Sequence, residues 1–328
     1  MWVQIAIPRA LMHSYYYPLW SAYLQELGAD VVVSPATNKE LVDRGVKLAA
    51  PELCVPIKIY LGHFHWLLEQ PVDYIFAPRF VSVQKGQFFC PKFMGLPDML
   101  RFSLPGSEER MLSPLFTSRD DSLDNEKCLR TVASRLGVGY LKHRRAHRNA
   151  VAAWREFRAL SLQGADLNQA LAGKGGAEVA ATADTPLTVG VAGYVYNLYD
   201  PYVSMDILAK LRQMGVRVIT FEMLPDDVLQ SALARVPKKL FWTFSDKLLA
   251  LGLWCLDNPE VDALVHVTAF GCGPDSMLGK IFEVDYGKVD KPFMTVRIDE
   301  HSGENHLLTR VEAFVDMLSR KKRRGERA

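Results

Sequence analysis

Nothing in this 328-residue chain approaches the roughly 20 consecutive apolar residues of a membrane-spanning helix. The first residues, MWVQIAIPRALMHSYYYP, also lack a basic stretch followed by an apolar core, so a cytoplasmic location is expected. The pattern G-x-x-x-x-G-K-[ST] is absent, and with it a phosphate loop for ATP; G-x-G-x-x-G, the mark of a nicotinamide dinucleotide site, is absent too. No two of the five cysteines lie close enough in sequence to form the C-x2-C knuckle of structural zinc. What remains is an ordinary globular composition, 49% hydrophobic and 23% charged, which excludes collagen-like, disordered and disulfide-stapled classes. At this length two α/β lobes of about 100–150 residues are expected.

The formal charge of +2 is unevenly spread. Ser319 to Ala328 holds six basic residues against Glu326, leaving a body of 33 basic and 36 acidic residues. A second basic cluster, Lys142 to Arg148, sits in a helical pattern without interleaved aromatics and reads as an exposed helix face. Neither a nucleic-acid nor a membrane partner is expected from these patches.

Two segments follow one plan. Residues 3–35 run from an apolar stretch through a Tyr-rich loop and an amphipathic helix to Gly28 and a second apolar stretch, Val31–Val33. Residues 187–225 repeat this order, with Gly215 after the helix and Val216–Phe221 as the second stretch. Each reads as strand–helix–strand with glycine where the chain leaves the helix in a left-handed conformation. Downstream, helical stretches Leu61–Glu69 and Ser245–Leu256 precede short buried strands Asp73–Ala77 and Val261–Val267. The expectation is α/β: two doubly wound, flavodoxin-like lobes with parallel sheets facing each other across a cleft. The lobes are placed at 1–120 and 187–300. A helical segment and a small-residue linker (121–186) lie between them, and a closing helix with a basic tail occupies 301–328.

The cysteines divide by context. Cys54 (PELCVPIK), Cys90 (FFCPKFMGLPD) and Cys272 (AFGCGPDS) each have proline one or two residues later and fall in expected loops. Cys128 and Cys255 lie in helical patterns and read as small buried hydrophobes. Proline after a ligand holds an open turn and leaves neighbouring N–H groups to point at sulfur, one of the levers on an iron–sulfur centre. Lys58 and Lys92 stand close enough in sequence to offset a cluster's charge. Widely spaced single ligands suit a cluster clamped by a pre-built scaffold; three bystander thiols and structural zinc are the alternatives.

The segments IPRAL…YYYPLW, PELCVPIK, FFCPKFMGLPD, FGCGPDS and IDEHSGE resemble the acyl-CoA dehydratase activase-related proteins of the 2-hydroxyacyl-CoA dehydratase and ATP-dependent reductase superfamily. The resemblance implies a two-lobed flavodoxin-like protein with a [4Fe–4S] cluster at the lobe interface, held by Cys54, Cys90 and Cys272. It implies electron transfer from a separate ATP-dependent activase, itself an iron–sulfur ATPase. A CoA thioester is the implied substrate class, and a homologous subunit or a second copy a further partner. No residues of an acyl-CoA pocket match, so dehydration of a 2-hydroxyacyl-CoA is not secured for this branch. The competing functional reading is a non-catalytic two-lobed binding or cluster-carrier module.

Other candidates have plainer readings. Asp299, Glu300, His301 and Glu304 suit the start of the closing helix better than acid–base chemistry. Arg9 and Arg79 follow strands and would bind an anion, neutralise a cluster, or simply pair with a carboxylate. Tyr15, Tyr16, Tyr17, Trp20, Tyr194, Tyr196 and Tyr199 are expected to pack, and Asp275-Ser276 to cap the helix after Cys272. His63 and His65 lie on different faces of one helix and share no site.

Overall fold

The structure is a computed structural model describing residues 3–118, 123, 125–175, 187–300 and 304–325. Most of the expected linker at 173–186, residue His301 and the end of the basic tail lie outside the described residues. The chain divides into two compact units, Met1–Arg158 with Leu240–Thr243, and Ala159–Lys239 with Phe244–Ala328.

In the first unit the strands are β1 (Gln4–Ile7), β2 (Asp30–Val33), β3 (Tyr74–Phe76), β4 (Arg79–Ser82), β5 (Met111–Leu112) and β6 (Leu115–Thr117). Four of them form a parallel sheet in the order β2-β1-β3-β5. Pro78 follows β3 and Pro114 follows β5. Neither residue has an N–H to donate, and pairing resumes beyond them as the separate two-stranded ribbon β4-β6. Around the strands run α1 (His13–Glu26), α2 (Lys39–Leu48), α3 (Val55–Leu68), α4 (Pro91–Met94), α5 (Leu96–Ser103), α6 (Lys127–Arg135) and α7 (Tyr140–Leu162). The chain leaves β1 toward β2 and returns on its other side as β3. This reversal opens a crevice at the carboxyl ends of β1 and β3, where ligands bind in open α/β sheets.

The second unit repeats that order. Its strands β7 (Leu187–Gly193), β8 (Val216–Ile219), β9 (Ala263–Ala269) and β10 (Phe293–Ile298) lie as β8-β7-β9-β10, all parallel. Strands β7 and β9 are buried along their whole length, as expected of a parallel sheet covered on both faces. Its helices are α8 (Leu167–Leu171), α9 (Val195–Leu198), α10 (Ile207–Gln213), α11 (Asp226–Leu233), α12 (Ser245–Asp257), α13 (Gly273–Tyr286) and α14 (Glu304–Gly325). Gly28 and Gly215 occupy matching places after α1 and α10, at φ of 92° and 73°, as the repeated pattern requires. In α14, Leu307, Val311, Val315 and Leu318 are buried and form the face that meets the core. Among the described residues no helix is long and apolar enough to cross a membrane.

One expectation shifts in a way that matters. The helix before β3 begins at Val55 instead of Leu61, so α3 starts immediately after Cys54. Pro56 stands in its first turn, where an absent N–H costs nothing and a fixed φ suits the helix. Helices α2 and α3 then meet backbone to backbone. A Cβ on Gly62 would lie 1.9 Å from the Leu41 carbonyl oxygen, and one on Gly45 1.8 Å from that of Lys58. Gly62→Ala is expected to force the pair apart and cost the first unit about 2 kcal/mol or more, read as a lowered urea midpoint. An unchanged midpoint would show that the helices separate freely.

Candidate sulfur ligands at three helix starts

The three proline-followed cysteines share one local geometry. Cys54, Cys90 and Cys272 are the N-cap residues of α3, α4 and α13, each with extended backbone and each followed by proline in the first helical turn. They therefore stand at helix starts, and the prolines begin helices instead of holding open loops. At Cys54 and Cys90 the backbone carbonyl takes the first bond: Ile57 N–H donates to Cys54 O at 3.0 Å and Phe93 N–H to Cys90 O at 2.9 Å. The nearby N–H groups of Ile57, and of Lys92 and Phe93, also favour the thiolate form of Cys54 and of Cys90. A thiolate at the cap would sit at the positive end of the helix, where negative charge is favoured.

Each cysteine is held by its own scaffold. The turn before Cys54 closes with Leu53 N–H donating to Ala50 O at 3.0 Å, after which the close α2–α3 contact holds the helix. Cys90 follows a loop anchored at the end of β4, where Ser82 Oγ lies 2.7 Å from the carbonyl oxygens of Gln84 and Gln87. Phe89 N–H donates back to Val81 O at 3.0 Å. Phe88 pairs with residues 240–243 of the same unit, its N–H donating to Phe241 O at 3.0 Å and its carbonyl accepting from Thr243 N–H at 2.8 Å.

Cys54 and Cys90 share one electrostatic neighbourhood. Burial pushes both thiols above the ordinary value; Lys92 pulls both back, and Lys58 does so for Cys54. The presence of Cys54 pushes Cys90 up further, the mark of two thiols near enough to repel as thiolates. Lys92 Nζ donates to Glu52 O at 3.3 Å, keeping the cation beside them. Cys272 belongs to the second unit. Among the described residues no group of three or more His, Cys, Asp or Glu side chains is assembled to hold a metal ion.

What holds Cys272 was not read from the sequence. Asp275, expected as a helix cap, is instead fully buried in the first turn of α13, and its Oδ1 lies 2.8 Å from His266 Nε2 on β9. The cap is Cys272 itself, and Ser276 Oγ donates to the Cys272 carbonyl at 2.8 Å. The signal was present: a lone histidine inside the apolar run ALVHVTA needs a polar partner. Gly279 leaves room for the ring, since a Cβ there would come within 3.2 Å of it.

A second buried network lies at the carboxyl end of β1. Arg9 N–H donates to Ser34 Oγ at 2.8 Å; Ser34 Oγ lies 2.7 Å from His63 Nδ1, and His63 Nε2 lies 2.9 Å from Thr37 Oγ1. His13, at the start of α1, is buried nearby. Burial first and the Arg9 charge second push His13 down to about 3 and His63 down to about 4.

The remaining candidates take the plainer roles. Arg79 pairs with Asp98 at 2.7 Å and donates to Met94 O. Tyr16 stacks on Phe80 and Trp154 in the core, and Tyr194 stacks on Tyr196. Cys128 and Cys255 are buried, and burial pushes the Cys255 thiol up to about 12. His63 is buried while His65 is half-exposed beside Glu69. In the Lys142–Arg148 cluster, Arg144, Arg145 and Arg148 are exposed, but His143 is buried against the Tyr23 hydroxyl at 2.8 Å.

Two outcomes follow from the buried pairs. Asp275→Ala strands His266 in the core and is expected to cost the second unit about 3 kcal/mol in urea unfolding; an intact stability would show that the pair does not anchor the helix. In the unfolded chain His13 takes up its proton near pH 6.5, whereas in the folded chain it does so only near pH 3. Stability of the first unit is therefore expected to fall as pH drops from about 6.5 toward 3, by on the order of 4 kcal/mol from His13 alone. Urea midpoints at pH 7 and pH 4 measure this, and His13→Gln should flatten the dependence.

The model of one protein family, described as the CoA enzyme activase uncharacterised domain, matches residues 4–224, which include all of the first unit's sheet and the first two strands of the second. No curated protein matches the chain.

Proposed function

The chain belongs to this CoA enzyme activase-related family, and from that premise we propose that it is a redox protein holding a [4Fe–4S] cluster through Cys54, Cys90 and Cys272. The observation that supports this reading is the pairing of Cys54 and Cys90, each the N-cap of a helix with proline in its first turn, with Lys92 acting on both and Cys54 acting on Cys90. Cys272 has the same cap geometry and would be the third ligand. When bound, such a cluster supplies a one-electron centre with one iron free of protein ligands.

The chain's own residues then have defined tasks. The N–H groups of Ile57, Lys92 and Phe93 stabilise negative sulfur, and Lys92 and Lys58 offset the charge that ligation brings into a buried place. Because burial raises both thiols, ligation must expel their protons, so cluster assembly is favoured by higher pH. His266 and Asp275 keep the start of α13 against β9 and so position Cys272. The electron donor in this reading is a separate ATP-hydrolysing activase, because the chain carries no phosphate loop of its own. The substrate class is a CoA thioester.

Iron, sulfide and zinc content of anaerobically purified protein, with electron paramagnetic resonance before and after dithionite, tests the reading. About four irons per chain are expected, falling severalfold in Cys54→Ala, Cys90→Ala and Cys272→Ala. Zinc in place of iron, or iron unchanged in all three variants, would overturn it. A cluster that passes to an apo-acceptor and is not reduced by an ATPase partner would favour the carrier module instead.

A further inference from the structure

We propose that the turn Pro8–Met12 and the start of α1 form a binding site for the oxyanion group of a small ligand, with the Arg9 guanidinium and His13 Nε2 as its donors. Arg9 is exposed at the carboxyl end of β1, and its guanidinium makes no hydrogen bond or ion pair with any described residue. Four residues on, His13 is 7% exposed, and its Nε2 is buried without a hydrogen-bond partner. A buried polar nitrogen left unpaired is costly, and such atoms in folded proteins usually wait for water, an ion or a ligand.

The start of α1 favours negative charge. Helix α1 has no side-chain cap at Met12 and no acidic residue in its first turn, so the positive end of its dipole is not offset locally. Tyr17 lies against the His13 ring, with centroids 4.6 Å apart. The turn is also pre-formed: Arg9 N–H is tied to Ser34 Oγ, which is in turn backed by buried His63. Little ordering is therefore left to oppose binding.

Beside the turn lies a narrow apolar pocket with room for about one water, lined by Ile7, Pro8, Leu11, Phe76, Pro78 and Phe93 among others. It stands at the carboxyl ends of β1 and β3, the reversal point of the sheet, and Phe93 brings the helix capped by Cys90 to its wall. Carboxylate and phosphate both present the oxyanion that an arginine and an imidazole N–H recognise, and they are told apart by experiment.

The histidine ring resonances of the full-length protein would be followed by nuclear magnetic resonance during titration with sodium phosphate, sodium butyrate, or sodium chloride at matched ionic strength. His13 is identified by the signal lost in His13→Gln. A saturable His13 shift with phosphate or butyrate, absent with chloride, is expected; the tighter ligand names the source. Arg9→Ala should weaken binding about tenfold or more and Arg9→Lys less. Both variants should keep the wild-type circular dichroism spectrum, because the side chain is exposed and unpaired. No saturable shift with either oxyanion, or equal affinity in Arg9→Ala, overturns the proposal. The readout does not depend on iron, so this site and the cluster fail separately.

Discussion

The first N–H groups of an α-helix leave a positive end with a deficit of acceptors, and this protein places a cysteine at that position in three helices. The usual caps are Ser, Thr, Asp or Asn, whose oxygens accept these N–H groups well. Cysteine is a poorer neutral acceptor, so as a cap it leaves the helix start under-satisfied until the sulfur becomes negative. Proline in the first turn removes one of the competing N–H groups and pre-sets the helical φ. Cap and proline together create a place where negative sulfur is worth more than a neutral thiol. Burial works against it, and at Cys54 and Cys90 burial is the larger effect, with the N–H groups and Lys92 in opposition. That balance favours the neutral thiol at both positions.

The scaffold that carries these caps is used twice. Both units place their strands in the order second-first-third-fourth, and in both the chain reverses direction between the first and third strands. In the second unit Cys272 closely follows the third strand, at that reversal point. In the first unit the third strand is followed by Pro78, and pairing continues as the β4-β6 ribbon before the chain reaches Cys90. The repeat was therefore not kept symmetrical. One copy carries its cysteine directly after the third strand; the other carries two, on α3 and beyond the ribbon.

Buried polar pairs set both edges. In the second unit Asp275 and His266 pin the helix start that bears Cys272; in the first, Ser34, His63 and Thr37 pin the turn that bears Arg9. Each network ties a segment beyond a strand's carboxyl end to a neighbouring strand or helix. Hydrogen bonds in a buried place are specific about geometry, whereas apolar packing tolerates small shifts. Rigid positioning at the edge and tolerant packing beneath it suit a site that must hold its groups before a ligand arrives.

Much of this was legible in the chain itself. Apolar runs separated by a helix and a glycine announced both strand–helix–strand units, because burial on both faces leaves a parallel strand little choice of residue. Proline beside three of five cysteines separated them from Cys128 and Cys255 by local chemistry alone. Tertiary structure decided what depends on distance across the fold. The start of α3 at Val55 is supported by the Gly45–Gly62 contact, which no local pattern displays. Asp275 turned inward to reach a histidine nine residues away on β9, and Cys54 came near Cys90 through elements folded between them. Local sequence sets which backbone groups lack partners; only the folded chain determines which side chains arrive to supply them.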